Sequence, residues 1–131
     1  MLEKTHSSIH TLIGSAKRVL VLAAPDKYAG EIDKMAKSYQ LSTNAQAVPT
    51  ELFDFILIFL RNKSDLTEYA AAAVSVLDKE GNLWFGYPSP KSLHSSDITP
   101  YEGWETLNDA GWKSVSDLAI DSAWNAKKFA Q

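Results

Sequence analysis

The sequence has no cysteine and, in 131 residues, only three histidines, two methionines and six glycines. Without cysteine there is no disulfide, no thiolate nucleophile and no thiolate metal ligand. The histidines do not make a metal set. His6 and His10 share a helix face, but no Glu follows His6, so a zinc-protease motif is missing. His94-Ser95-Ser96-Asp97 has side chains of base, nucleophile and acid type, yet neighbours in one loop cannot all converge on one point. The sparse glycines form neither a P-loop nor a Gly-x-Ser-x-Gly turn. There is no basic excess either. The formal net charge of −3 and a pI near 5.5 argue against a nucleic-acid binder. No apolar run reaches the roughly 20 residues that span a bilayer. The start, Met1 to His6, is polar and carries no apolar signal region, so the expected location is cytoplasmic, with no membrane partner.

What is present is a dense apolar pattern, 45% of residues, in a length that suits one domain over 1–131. Its centre is Leu52–Leu60, apolar on both alternate faces except at Asp54. That is how a strand covered by helices on both sides reads. A weak helix and lead-in occupy 1–17, with Ile9, Leu12 and Ile13 on one face and Gly14 as a stop. Arg18–Ala24 is a strand ended by Pro25. Tyr28–Tyr39 has helical spacing, with Asp26 as N-cap. Ala45–Val48 is either an edge stub or a loop, being too close to the central strand for a parallel crossover. Asp65–Asp78 carries an apolar stripe from Leu66 to Leu77, with Asp65 and Glu68 at capping-box spacing and Gly81 as the expected stop. Asn82–Tyr87 is a strand ended by Pro88. Thr99-Pro100-Tyr101-Glu102 opens a helix that runs to about Gly111. Ser114–Asp121 and Ala123–Ala130 close the chain as an antiparallel hairpin. The alternation predicts an α/β class: one Rossmann-like three-layer domain, with a mostly parallel sheet and a C-terminal antiparallel hairpin.

From Phe53 to Asp121 the order of elements resembles the class I methyltransferase-type Rossmann fold. Enzymes of that type bind S-adenosylmethionine with a Gly-rich turn after the first strand and an acidic residue ending the second. Here the first strand runs into Ala23-Ala24-Pro25-Asp26-Lys27-Tyr28, with no glycine before Gly30, and Glu51 comes late after Val48-Pro49-Thr50. The resemblance therefore implies a degenerate methyltransferase-like fold and brings no cofactor with it. A second resemblance covers most of the chain. Leu12-Ile13-Gly14, Val19–Ala24 with Pro25 and Tyr28, Asp54–Phe59, Gly81-x-Leu83-Trp84-x-x-Tyr87-Pro88, Lys91-Ser92, Asp97-Ile98-Thr99 and Asp121-x-x-Trp124 with Phe129 are similar to a family of small uncharacterised bacterial proteins. That family implies no activity.

A parallel sheet binds ligands beyond the carboxyl ends of its strands. The loops expected there hold Lys27, Tyr28, Arg61, Lys63, Tyr87 and Lys91. Lys27, Tyr28, Arg61, Tyr87 and Lys91 are the candidate ligand-binding residues, and their charge suits a small anion. Lysine and arginine are also ordinary loop residues, and Asp26 and Asp65 already occupy the nearby helix ends. Asp121, at the closing turn, reads as a bonder of backbone N–H groups rather than a base. The four tryptophans read as core. The leading expectation is a protein that binds a small anionic ligand or a partner at the carboxyl edge of the sheet, without classical catalysis and without a metal. The alternatives are a degenerate methyltransferase-like enzyme that holds substrate with Lys27, Arg61, Tyr87 and Lys91, and an interaction module that dimerises through an edge strand or the final hairpin.

Overall fold

A computed structural model of the chain describes residues 9–14, 16–35, 40–42, 52–89, 96–99 and 102–131. In chain order the elements are α1 (Ile9–Ile13), β1 (Arg18–Leu22), a 3₁₀ turn (Asp26–Tyr28), α2 (Ala29–Met35), β2 (Gln40–Ser42), β3 (Phe53–Phe59), α3 (Lys63–Ser75), β4 (Leu77–Pro88), α4 (Glu105–Asp109), β5 (Lys113–Ala119) and β6 (Trp124–Ala130). They make the expected α/β domain around one six-stranded sheet of order β2-β1-β3-β4-β6-β5. The β1–β2, β1–β3 and β3–β4 pairs are parallel, and β6 is antiparallel to both its neighbours.

The period of two in β3 divides the core. Ile56, Ile58 and Leu60 face α3 and α4 through Leu66, Ala70, Ala73 and Leu107. Phe55, Leu57 and Phe59 face α1 and α2 through Ile9, Ile13 and Ile32. Phe55 to Ile58 have no exposed surface, and each such side chain contributes about 1.5–3 kcal/mol. Asp54, the one polar residue of the strand, accepts the Lys17 and Arg18 N–H groups and so ties the start of β1 to β3.

Four helix boundaries differ from the sequence reading, three of them because another contact competes. The N-cap of α3 is Asn62, whose Oδ1 accepts the Asp65 N–H at 3.0 Å; the Asp65 carboxylate is taken by Arg61. The same helix stops well before Gly81, because Phe53 N–H binds Val76 O and Leu77 already pairs with Phe53. Thr99 Oγ1 does accept the Glu102 N–H, as a cap would. Gly103 then turns at φ +98°, so α4 begins only at Glu105. Asp26 opens a 3₁₀ turn behind Pro25 without a side-chain cap. A short edge strand exists, but at Gln40–Ser42; the Ala45–Val48 segment lies outside the described residues. Among those residues no helix is long and apolar enough to cross a membrane.

Candidate functional site

The strand order reverses between β1 and β3: the chain leaves β1 for β2 on one side and returns to β3 on the other. The crevice at the carboxyl ends of such a pair is the natural ligand position in an open α/β sheet. Ala23 and Arg61 flank it. Ala23 follows β1 with φ +59°, a left-handed conformation that an L side chain resists by about 1–2 kcal/mol. Beside it lies a cavity of about 290 Å³ lined by Val21, Ala23, Ala24, Pro25, Asp26, Ala29, Ile32 and Asp33. The walls are apolar and small, and the two charged groups are both carboxylates.

The candidate residues from the sequence fall into separate carboxylate-centred groups. Lys27 and Tyr28 meet at Asp121, in the turn between β5 and β6. The Lys27 Nζ lies 2.7 Å from Asp121 Oδ2, to which the Tyr28 hydroxyl also donates at 2.5 Å. Asp121 Oδ1 accepts the Ala123 and Trp124 N–H groups, the structural role expected of it. Burial pushes the Asp121 carboxyl up, but the hydrogen bonds from Lys27, Tyr28, Ala123 and Trp124 outweigh it and hold the group below the ordinary aspartate value. Burial, then the Asp121 contact, push the Tyr28 hydroxyl far above the ordinary tyrosine value. Tyr28 is therefore a fixed hydrogen-bond donor, its ring held 5.4 Å from that of Phe59.

Arg61 stands at the second group. Its backbone N–H, Nε and Nη2 all donate to the buried Asp65 carboxylate. The Arg61 hydrogen bond is the main reason that the Asp65 carboxyl lies below its ordinary value. The Arg61 side chain is 79% exposed, and the guanidinium has more N–H donors than the two nitrogens bonded to Asp65 use. Around it, Ser96 Oγ donates to Arg61 O and the Lys63 N–H donates to Asp97.

Tyr87 forms the third group. It is buried, and its hydroxyl donates to Asp117 Oδ2 at 2.7 Å. The same oxygen accepts from the buried Lys127 ammonium at 2.8 Å, which lies 5.9 Å from the centre of the Trp104 ring. Asn125 Nδ2 reaches the Tyr87 hydroxyl at 3.5 Å. Lys91 lies outside the described residues. Among the described residues no group of His, Asp and Glu side chains could hold a metal ion.

Ala23, Asp117 and Lys127 went unseen in the sequence as site residues. Both fall within the two segments expected to form the closing hairpin, but the register that makes Asp117 and Lys127 a pair is a tertiary fact. Nothing in an alanine signals positive φ.

No family model matches the chain, and no curated protein does either. Solved structures do match in fold. One is DhpI in complex with SAH: TM-score 0.56, 13% identity, 87% of this chain and 76% of that one. Another is the CcbJ methyltransferase from Streptomyces caelestis: TM-score 0.57, 8% identity, 92% and 85%. A third is described as a pericyclic reaction enzyme: TM-score 0.59, 12% identity, 90% of this chain but 44% of that one. At these identities the likeness is one of fold, and that fold is the methyltransferase-type Rossmann fold. The expectation of a protein without classical catalysis is corrected by this comparison: structures of the same fold include two described as methyltransferases and one as a pericyclic reaction enzyme.

Proposed function

We propose that the chain is an enzyme domain on a degenerate methyltransferase-type scaffold, with its reacting centre in the crevice between β1 and β3. The observation that carries this reading is the left-handed Ala23 at the carboxyl end of β1, beside the 290 Å³ cavity. A backbone that holds this turn without a glycine accepts strain there, and such strain clusters at ligand sites.

S-adenosylmethionine is the group that the fold suggests, and the turn fits it in three respects. The backbone follows the path a glycine would give. Ala23, Ala24 and Ala29 leave room. Asp26 and Asp33 offer acceptors for hydroxyl or ammonium donors. Pro25 contributes no N–H, so contacts on its side are apolar. Bound there, S-adenosylmethionine would supply an electrophilic methyl group.

The rest falls to the chain's own residues. Arg61, anchored by Asp65, directs its outer N–H donors at an anionic group of the substrate. Lys27 and Tyr28 hold the turn against Asp121, and Tyr87 braces the end of β4 against Asp117. Lys91, three positions after the last residue of β4 in the sequence, is the second cation proposed for that substrate. Membership of the small bacterial family belongs to the same proposal, as does pairing of two copies along the outer edge of β5.

The test is calorimetric titration with S-adenosylmethionine and with S-adenosylhomocysteine, its demethylated product. Binding that is lost in Ala29→Trp, which fills the cavity, and kept in Arg61→Ala is the expected result. No binding of either compound at millimolar concentration would sink the proposal.

A further inference from the structure

The turn after β1 carries a strain that its own residues do not hold. Ala23 sits at φ +59° without a glycine's freedom. An L residue stays in that conformation only where the surrounding structure over-determines it. Inside residues 23–28 there is little to do so. Pro25 has no N–H to give, the Tyr28 N–H only closes the 3₁₀ turn on Pro25 O, and no side chain caps that turn. The restraint therefore comes from elsewhere in the fold.

It is concentrated at one carboxylate. Among the described residues, the side-chain hydrogen bond and the ion pair that leave residues 23–28 both end on Asp121 Oδ2, from the Tyr28 hydroxyl at 2.5 Å and the Lys27 ammonium at 2.7 Å. Asp121 is itself fixed, because Oδ1 accepts the Ala123 and Trp124 N–H groups. Three rings close the circuit. Tyr28 packs against Phe59, the last residue of β3, and Phe59 meets the ring of Trp124, the first residue of β6, at 5.3 Å. The Tyr28 hydroxyl is buried and its acceptor is charged, so this bond is a strong one.

We propose that Asp121 is the positioning residue of the crevice: by clasping Lys27 and Tyr28 it holds Ala23 left-handed, so the closing hairpin sets the shape of the first turn. Asp121 acts through these two residues and not on a ligand. The hold on Ala23 stands apart from the reading given above, and only the binding arm of the test rests on that reading. The coupling is reciprocal: a ligand that requires the left-handed turn tightens the clasp in return.

The double variant Lys27→Met/Tyr28→Phe cuts the clasp, keeps the Tyr28 ring position and leaves Asp121 to its own turn. The readout is the intraresidue HN–Hα NOE of Ala23, which is strong at positive φ because the two protons are then close. It should be strong in the parent chain and fall to the level of an ordinary strand residue in the double variant. Tyr28→Phe alone should give a partial fall, and keeps the test decisive if the double variant folds poorly. Lys127→Ala, which destabilises the sheet through Asp117, should leave the NOE strong, so lost stability alone does not mimic the effect. In the binding arm, S-adenosylhomocysteine should bind the double variant about five- to thirtyfold more weakly, the cost of restoring the left-handed turn. Adding Ala23→Gly should recover most of that loss, because glycine takes positive φ freely. A strong NOE that survives loss of the clasp, or a loss of affinity that glycine does not mend, would overturn the assignment. If the parent binds no S-adenosylhomocysteine, the reading of the crevice fails, and the NOE alone decides the role of Asp121.

Discussion

Replacing Asp121 by Ala tests how the two halves of the carboxyl edge are joined. The carboxylate serves four donors: Lys27 Nζ, the Tyr28 hydroxyl and the N–H groups of Ala123 and Trp124. Water can replace the acceptor for the two turn N–H groups, so each costs about 0.5–1 kcal/mol. The Lys27 ion pair is half exposed, and its loss costs at most about 1 kcal/mol. Tyr28 is the main term. Its buried hydroxyl loses its acceptor, which costs about 1–3 kcal/mol. The sum is roughly 2–6 kcal/mol, or a fall in Tm on the order of 6–20 °C at this chain length. Tyr28→Phe removes the donor with the acceptor left satisfied by others and should cost only about 1 kcal/mol. Urea unfolding of both single variants and the double variant gives the coupling, expected near 1 kcal/mol. The pH dependence has two arms. Asp121 and Asp65 titrate below their unfolded value of about 3.9, so their contribution is complete above that value and fades as pH falls through the folded one. Tyr28 titrates above its unfolded value near 10, so its contribution is complete below pH 10 and fades as pH rises beyond it. If Asp121→Ala costs no more than Lys27→Ala, and the Tyr28 coupling is zero, the Tyr28–Asp121 bond does not hold the edge together.

Other substitutions probe separate contacts. Lys127→Ala strips the stem that packs beside Trp104 and leaves Asp117 without its ammonium, at about 2–4 kcal/mol. Lys127→Met keeps the stem and should lose less than about 1.5 kcal/mol in urea unfolding; equal losses would refute the packing argument. Gly103→Ala, at φ +98° with Asp97 O 2.8 Å from the added Cβ, should lower Tm by several degrees. Gly30→Ala, in α2 with open space around the Cβ, should raise stability by about 0.5–1 kcal/mol. Ala23→Gly should relieve the left-handed turn and raise Tm slightly, and a drop would mean that the Ala23 methyl is packed.

Most of the sheet was legible because β1, β3 and the second half of β4 are apolar on both faces, with Pro25 shortly after β1 and Pro88 at the end of β4. Periodicity alone reports both properties, and topology then names the loops at the carboxyl edge. Boundaries failed where contact with a distant strand or turn decided them. The end of α3 depends on Phe53, far back in the chain, and the start of α4 on the turn at Gly103. The site failed for the same reason. Lys27, Tyr28, Arg61 and Tyr87 were visible as loop and strand-end residues, but the carboxylates that fix them were not assigned to them. Tyr28 and Asp121 are 93 positions apart, and no local pattern carries that pairing. The lean away from catalysis rested on missing glycines, whereas the backbone at Ala23 takes the glycine-like path regardless.

The insertion of β6 between β4 and β5 sets a timetable for the nascent chain. Until Trp124–Ala130 has left the ribosome, β4 keeps one edge with no partner, and β5 has nothing to pair with. The first four strands can align early, yet the aromatic core shared by Phe85, Trp104 and Phe129 closes only with the last strand. A chain stalled or cut before residue 124 would present the bare edge of β4 to other chains, as an open strand edge invites aggregation. Synthesis of this domain therefore carries its greatest hazard near the end.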